Sequence, residues 1–503
     1  MERFESMTKK RVETYSHVLK YMGVFGGIQG LNMLIGLIRN KLAALLLGPD
    51  GMGLASLLGT TVNFVSQATN LGVPTSGVKH LSTLGEQGDS EASEHYIMVI
   101  RVWSLITALL GMFVCVLAGP LLNSQTFTWG DHTLHYVMLA PAVGLLALTG
   151  GETAILKAMR RLRSLAVIQV YGMLASLFVS VPLYYFYGHT GIVPSLVLTA
   201  LVSMLLTIGF SLRYYPFRLS GVMQLLSEGM PMVRLGMAFV LAGILGSGAE
   251  MLIRSFLNVS GGLDMVGFYN AGCVMTMICG SLVFSSMEAD FFPRLSSCAD
   301  PRSLRQTVNR QTEVSLLLAS PIVVLLMVFV PVLIPLLYTG DFVSVASMVQ
   351  VASFSIFLKA LSLPVSYIPL ARGDSRSYLL LECVYDVLLV VLVVVCYRWW
   401  GLLGTGIALS LSYVVDVLVV YLYAYVRYHF RVTFAVLCYA AFHLLLCFVA
   451  FSVTLLLPPS SWFYWVLGTM SLLLSVGASM YVIYQKTSLW TSLVNKVRRR
   501  QHG

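Results

Sequence analysis

Two arginines inside long apolar runs are the residues of this sequence best placed to bind a charged ligand. Arg39, with Lys41 close behind it, lies in the run 33–47, and Arg254 ends the similar triplet Leu252-Ile-Arg254 in a later run. A charged side chain at the centre of a bilayer costs about 2.5–3.5 kcal/mol on insertion scales, and such residues usually mark the path of a substrate or ion. Two arginines at matching points of two runs therefore predict a cavity that holds an anion.

Phosphate is the anion that suits these arginines best, because the planar guanidinium fork donates two parallel hydrogen bonds. Acids are scarce around Arg39: Asp50, at a turn, is the only one between Thr14 and Gly85. A net positive cavity of this kind would fit a diphosphate group. The alternative is that these cations extend toward outer lipid headgroups while their stems stay in the membrane. That alternative applies most to Lys41, which is one step off the helical stripe of Arg39.

Three apolar runs carry polar residues at spacings of three and four, which place them on one face of a helix. The stripes are Gln29, Asn32, Gly36 and Arg39 in the first run, Asn63, Gln67 and Asn70 in the second, and Gly243, Ser247, Glu250 and Arg254 in the seventh. Such faces point to protein or water rather than lipid. We expect Asn32, Asn63, Gln67 and Asn70 to meet sugar hydroxyls. The alternative is that the amides hold helices together, at about 0.6–2 kcal/mol each.

Acidic residues within the later runs are candidates for coupling transport to an ion, because intramembrane carboxylates commonly relay protons or sodium. Glu250, Glu382 and Asp386 are the candidates, and Asp416 lies in the run that follows the last two. Glu250 lies one turn before Arg254 and could pair with it, or exchange that pairing for substrate. For the acids of the later runs the alternative is an ion pair with Lys359 or contact with the membrane surface. The sequence contains no P-loop, GxSxG or HExxH motif, so we predict no enzyme activity, no cofactor and no metal site.

Composition places the chain in the membrane. Of its 503 residues 57% are hydrophobic and 11% are charged, whereas soluble proteins average roughly 25% charged residues. A spanning helix needs about 20 apolar residues, and about fourteen such runs occur. The sequence therefore predicts an all-α polytopic membrane protein with about 14 transmembrane helices.

The net charge of +10 reflects orientation in the membrane rather than nucleic-acid binding. With both termini in the cytoplasm, most of the 32 Lys and Arg fall in cytoplasmic segments, which is the positive-inside pattern. Membrane lipids are then the expected polyanionic surface, and no nucleic-acid partner is expected. The eight cysteines are scattered, so they indicate neither a disulfide nor a metal.

The chain carries an internal duplication. Four features recur in the same order at a nearly constant offset: the Leu-Ile-Arg triplets, the glycines that follow them, two Arg-Ser pairs, and two glycine pairs, Gly188/Gly191 and Gly401/Gly404. We therefore predict an N-lobe of six helices at 1–214, a C-lobe of six at 215–430, and helices 13 and 14 with a cytoplasmic tail at 431–503. Because six is even, both copies cross the membrane in the same sense, with a substrate site between them.

The run Leu37–Gly53 resembles the opening of Wzx-type O-antigen translocases, of the multidrug/oligosaccharidyl-lipid/polysaccharide exporter superfamily. Asp290–Ser296, Val308–Gln311 and Pro335–Tyr338 extend the resemblance along nearly the whole chain. It implies two pseudo-symmetric lobes around a central cavity. It also implies transport of an undecaprenyl-diphosphate-linked oligosaccharide across the bacterial inner membrane. In the related lipid II flippases, cavity arginines meet the diphosphate, and Arg39 is the matching residue here.

These observations together predict a flippase that moves the lipid-linked oligosaccharide by alternating access. Arg39, Arg254 and Lys41 would contact the diphosphate, and polysaccharide-assembly proteins are possible partners. Two alternatives stay open. A cation-coupled multidrug exporter shares the superfamily but would want acids in the first half. A membrane polysaccharide polymerase usually needs a sizeable outer loop, and the predicted outer loops are short.

Overall fold

A computed structural model describes residues 2–87, 89–127, 131–217, 222–298 and 300–486, and nearly all of them are helical. The helices are α1 (Glu2–Thr69), α2 (Val73–Gln87), α3 (Ser90–Thr126), α4 (Thr133–Ala158), α5 (Leu162–Tyr187), α6 (Ile192–Tyr214), α7 (Val222–Gly261), α8 (Leu263–Ser296), α9 (Pro301–Leu337), α10 (Val345–Ala371), α11 (Ser375–Tyr428), α12 (Phe434–Leu456) and α13 (Trp462–Lys486). A short 3-10 turn at Gly188–Gly191 joins α5 to α6, and another at Gly340–Ser344 lies between α9 and α10. The predicted cytoplasmic tail after Lys486 lies outside the described residues.

Eleven helical segments of the described chain are long and apolar enough to cross a membrane. Three of them are interrupted, at Gly48, Gly188 and Gly401, where φ is positive, so each of these three holds two helices. Large apolar side chains such as Phe178 and Leu456 are exposed along the helices, as expected for surfaces that face lipid. The prediction of an all-α polytopic membrane protein is confirmed.

The two glycine pairs that the sequence matches to each other form the same turn. Gly188 has φ 54° and ψ −129°, and Gly401 has φ 57° and ψ −136°. A Cβ on Gly191 would lie 2.4 Å from a carbonyl oxygen of the preceding helix, and one on Gly404 would lie 2.0 Å from such an oxygen. Both turns therefore require glycine at both positions, for backbone conformation and for space.

The chain packs as two compact units, Met1–Asp264 and Met265–Gly503. In the first, α7 packs with α1, α2 and α3. A buried cluster joins α2, α3, α4 and α7, and includes Val73, Ile97, Trp103, Ile155 and Met232. The boundary of the predicted sequence repeat, at 214 and 215, concerns duplication rather than packing and stays a prediction.

The second unit is built on α9, α10 and α11, and α12 and α13 pack against α9. Its buried cluster includes Phe291, Val308, Ile368, Leu381 and Val420, which come from α8 to α11. Four helices of this unit thus share one apolar core, and that core adjoins the polar residues of α10 and α11 described below.

Two glycines allow the backbones of α7 and the turn before α2 to touch. A Cβ on Gly236 would lie 2.4 Å from the carbonyl oxygen of Leu71, and one on Gly72 would lie 2.4 Å from the Cα of Gly236. Backbone atoms cannot move aside as a flexible side chain can, so any larger residue must separate the two elements.

We therefore expect Gly236→Leu to eliminate most of the folded protein, because overpacking already costs about 1–3 kcal/mol where only side chains must move. The measurement is the yield of monodisperse protein after detergent extraction. Gly209→Leu is the matched control, because Gly209 of α6 has nothing within 4 Å of its Cβ position. Equal yields of the two variants would contradict the packing described.

Candidate functional site

Arg39 is held against α5. It lies in the first half of α1, before the break at Gly48, and its side chain is partly buried. Its Nη1 donates a hydrogen bond of 2.6 Å to Oγ of Ser176, a buried residue of α5. One nitrogen of the fork is thus fixed within the first unit, which sets the orientation of the guanidinium plane. Lys41, two residues later, is also partly buried.

Arg254 is the more deeply buried of the two arginines, with 9% of its surface exposed. Its Nε donates to Oγ of Ser56 at 2.9 Å, and its Nη1 donates to the backbone oxygen of Glu250 at 3.3 Å. Nη1 also forms an ion pair of 3.4 Å with the Glu250 carboxylate, whose side chain is 53% exposed. The Glu250 carboxylate is therefore a partner of Arg254 that an incoming anion could displace into a more polar environment.

The polar stripes of the second and seventh predicted spans face each other. Arg254 of α7 contacts Ser56 of α1, a Cβ on Gly248 would meet Phe64 at 3.3 Å, and one on Gly243 would meet Oε1 of Gln67 at 3.1 Å. Residue numbers rise on α1 as they fall on α7, so the second half of α1 and α7 run antiparallel. We call the face formed by Ser56, Asn63, Gln67, Gly243, Ser247, Glu250 and Arg254 the α1–α7 polar seam.

The four amides predicted to meet sugar divide into two groups. Asn70 donates through Nδ2 to Oε1 of Gln67 at 2.9 Å, and its own Oδ1 accepts from the backbone nitrogen of Gly72 at 2.8 Å. These two residues thus cap the end of α1. Asn63 is exposed, and buried Asn32 has an Oδ1 without a hydrogen-bond partner among the described residues. Asn32 and Asn63 are therefore the amides with hydrogen-bonding capacity to spare; the side chain of Gln29 lies outside the described part.

The acids predicted to couple an ion lie in different surroundings. Glu250 pairs with Arg254 in the first unit. In the second unit, Glu382 and Asp416 line one cavity together with Lys359, whereas Asp386 is absent from its lining. Among the described residues, no group of three or more His, Cys, Asp or Glu side chains is placed to hold a metal ion.

A buried ion pair between Arg101 and Glu152 escaped the sequence reasoning. The Arg101 side chain is 5% exposed and that of Glu152 is 9% exposed. The fork is bidentate, with Nε to Oε1 at 2.7 Å and Nη2 to Oε2 at 3.3 Å. Nη2 also donates to the backbone oxygen of Tyr215 at 3.0 Å. The pair joins α3, α4 and the chain just after α6, so its neighbours satisfy both charges and it offers no free site.

A second overlooked contact joins α3 to α7. His95 hydrogen-bonds the carboxylate of Glu228, which also accepts from Gln224 at 3.0 Å. The hydrogen bond from His95, followed by that from Gln224, lowers the pKa of the Glu228 carboxyl. His95 also lines a cavity of about 280 Å³ with Glu91 and Glu94. Its net acidic lining makes it unsuited to an anion.

The first unit thus presents two oriented guanidinium groups, a displaceable carboxylate and two amides with spare hydrogen-bonding capacity. Residues 42–347 of the chain match a family described as "Polysaccharide biosynthesis protein". The chain belongs to this family. The match runs from just after Arg39 to the start of α10, so it includes the α1–α7 polar seam. The two proteins of similar sequence or fold that come next are named as a transporter and a flippase, not as enzymes.

Comparisons with individual proteins agree with this family. A Shigella flexneri protein named as an O-antigen transporter is 24% identical over 159 residues, or 31% of this chain. The match spans 38% of that protein's length. Among solved structures, "Lipid II flippase MurJ, inward closed conformation" has a TM-score of 0.72 at 12% identity, covering 92% of this chain and 99% of that one.

A multidrug resistance transporter of the MATE family in the MOP superfamily, in an inward-facing conformation, has a TM-score of 0.65. It is 16% identical and covers 80% of this chain and 94% of its own. At these identities the structural likenesses establish the fold, which flippases and drug exporters share. The choice between the two activities must come from the residues of the site.

Proposed function

We propose that this protein is a flippase that carries an undecaprenyl-diphosphate-linked oligosaccharide across a membrane by alternating access. The observation that carries the proposal is Arg254, a buried guanidinium held on the α1–α7 polar seam of a chain that belongs to a polysaccharide biosynthesis family. The name of the Shigella flexneri relative, and that of the flippase with the same fold, support the same class of cargo.

The diphosphate would bind to the arginines of the first unit. A phosphate oxygen would replace the Glu250 carboxylate on Nη1 of Arg254, and Glu250, which is already half exposed, would turn to water. Arg39, fixed by Ser176 through one nitrogen, would use its remaining donors. Lys41 would add a point charge without a planar fork.

The sugar hydroxyls would bind to the amides of α1. Asn32 and Asn63 have free capacity, so they would act directly. Gln67 and Asn70 already bond each other and the backbone, so their contribution would require exchange of those bonds. The polyprenyl tail would remain in lipid, because each of its methylene groups is favoured there by about 0.8 kcal/mol.

The cellular setting follows from the same proposal. The protein would lie in the bacterial inner membrane with both termini in the cytoplasm, as the distribution of Lys and Arg predicts. An N-lobe at 1–214 and a C-lobe at 215–430 would enclose the central cavity, and 431–503 would add two helices. Glu250, Glu382 and Asp386 stay candidates for ion coupling. Polysaccharide-assembly proteins would be partners.

A multidrug exporter is the alternative favoured by the MATE fold. Organic cations need carboxylates in the binding cavity, whereas the one carboxylate of the α1–α7 polar seam, Glu250, is already paired with an arginine. An exporter of cationic drugs would raise the resistance of a pump-deficient strain, and we expect no rise.

The proposal is tested in liposomes that contain the purified protein and a fluorescent diphospho-polyprenyl oligosaccharide. A membrane-impermeant quencher reports the fraction of label in the outer leaflet. We expect the protein to bring labelled lipid from the inner to the outer leaflet, so that the fraction of label that resists the quencher falls. A lipid whose headgroup lacks the diphosphate should be translocated far more slowly. Equal rates for both lipids, or no movement of either, would contradict the proposal.

A further inference from the structure

The second unit contains a cavity of about 110 Å³ between α10 and α11. Its lining combines three charged side chains with tyrosine and serine hydroxyls: Lys359, Glu382, Asp416, Tyr378, Tyr385, Tyr413, Ser362 and Ser366. All of these residues lie within membrane-spanning segments. The volume is room for a few water molecules, which excludes a sugar or a drug as the occupant.

The three charges do not balance. Lys359 lies near the middle of α10 and Asp416 near the middle of the second half of α11, while Glu382 lies about 10 Å from the start of α11 at a rise of about 1.5 Å per residue. Ser362 hydrogen-bonds Asp416, and the charges of Glu382 and Lys359 lie close enough to act on it. One ammonium thus faces two carboxylates, which leaves the lining with one excess negative charge when all three are ionised.

The other described residues that line the cavity are neutral. Tyr385 packs on Tyr413 with ring centroids 5.0 Å apart, and both rings come from α11. From α8, the ring of Phe284 lies 5.3 Å from Nζ of Lys359. The described lining contains no further charged side chain, so no other described residue of the lining balances the excess charge.

We propose that this cavity binds one proton, carried by the Glu382–Asp416 pair with Lys359 as a fixed counter-charge, and that this proton drives the transport cycle. The inference rests on the proposed function for what is driven, and deepens it by naming the coupling ion. A metal cation would lie beside the Lys359 ammonium, and two like charges repel strongly in a site of low dielectric constant. Two carboxylates around one ammonium are instead balanced when one of them takes up a proton, because each carboxylate disfavours the charged form of the other.

Proton binding at this cavity is tested on the purified protein in the absence of the transported lipid. The purified protein is treated with dicyclohexylcarbodiimide, which modifies protonated carboxyls in apolar surroundings, and the labelled peptide is found by mass spectrometry. We expect one label per chain, on Glu382 or Asp416, that decreases as pH rises and is unchanged by added Na⁺. Protection by Na⁺ at constant pH, or no label at either residue, would overturn the proposal.

Coupling is tested in the same liposomes with and without a pH gradient. A gradient of one pH unit supports at most about tenfold accumulation per proton. We expect Asp416→Asn to abolish that accumulation while exchange without a gradient continues. Asp341→Asn, an equal charge change at an exposed turn of the same unit, is the control and should behave as wild type. Retained accumulation in Asp416→Asn would overturn the proposal, whereas absence of all movement in wild type would instead reject the flippase assignment.

Discussion

Arg254→Ala is expected to reduce translocation of the diphosphate-linked lipid about 10- to 100-fold, because hydrogen bonds to charged groups contribute about 1.5–3 kcal/mol and 1.4 kcal/mol is tenfold. The protein should still fold. Glu250, the partner left behind, has a side chain that is 53% exposed, so water can take over from the lost guanidinium. Arg254→Lys should recover only part of the rate, since lysine keeps the charge and lacks the fork.

The control for this prediction is Arg398→Ala. Arg398 is exposed near the end of the first half of α11 and lies in the other unit. The substitution Arg398→Ala removes the same charge without changing the α1–α7 polar seam, so the translocation rate of this variant should match that of wild type. Equal losses in both variants would show that net charge, rather than the position of Arg254, governs transport.

Glu152→Gln is expected to destabilise the first unit by about 3–5 kcal/mol, the usual cost of removing one partner from a buried ion pair. Arg101 would keep its charge with a side chain that is 5% exposed, and would retain only neutral acceptors such as the Tyr215 oxygen at 3.0 Å. The measurement is the melting temperature in detergent, together with the yield of folded protein.

The double variant Arg101→Met with Glu152→Met supplies the control. Replacing both charges by apolar groups removes the uncompensated charge, so the double variant should be more stable than either single one. It should remain below wild type, because Arg101 also holds the backbone after α6. If the Glu152→Gln variant has the same melting temperature as wild type, the pair is not buried as described.

The sequence predicted those features whose energetic cost in a membrane is large. An arginine inside an apolar run demands a partner or a cavity, so Arg39 and Arg254 stood out by their matching positions in two such runs. Helical spacing placed Glu250 one turn from Arg254, and the structure pairs them. The glycine pairs at 188/191 and 401/404 marked the internal repeat in the sequence, and the structure adds that both pairs form the same turn with positive φ.

Other parts of the site could not be predicted, because their residues are ordinary in membrane helices. Ser56 and Ser176 hold the two arginines, yet serines are frequent in such helices and their periodicity carries no signal. Arg101 and Glu152 lie 51 positions apart, and each alone suggests an interfacial charge. Which of the acids on α11 faces Lys359 depends on the packing of α10 against both halves of α11, which helical spacing does not determine.

The most direct test of the account is the rate at which liposomes containing the protein translocate lipids that differ only at the linkage. The lipids carry the same oligosaccharide through a diphosphate or a monophosphate, and each is compared in wild type and in Arg39→Ala with Arg254→Ala. We predict that wild type prefers the diphosphate and that the double variant loses this preference. A preference that survives loss of both arginines would contradict the claim that these guanidinium groups recognise the cargo.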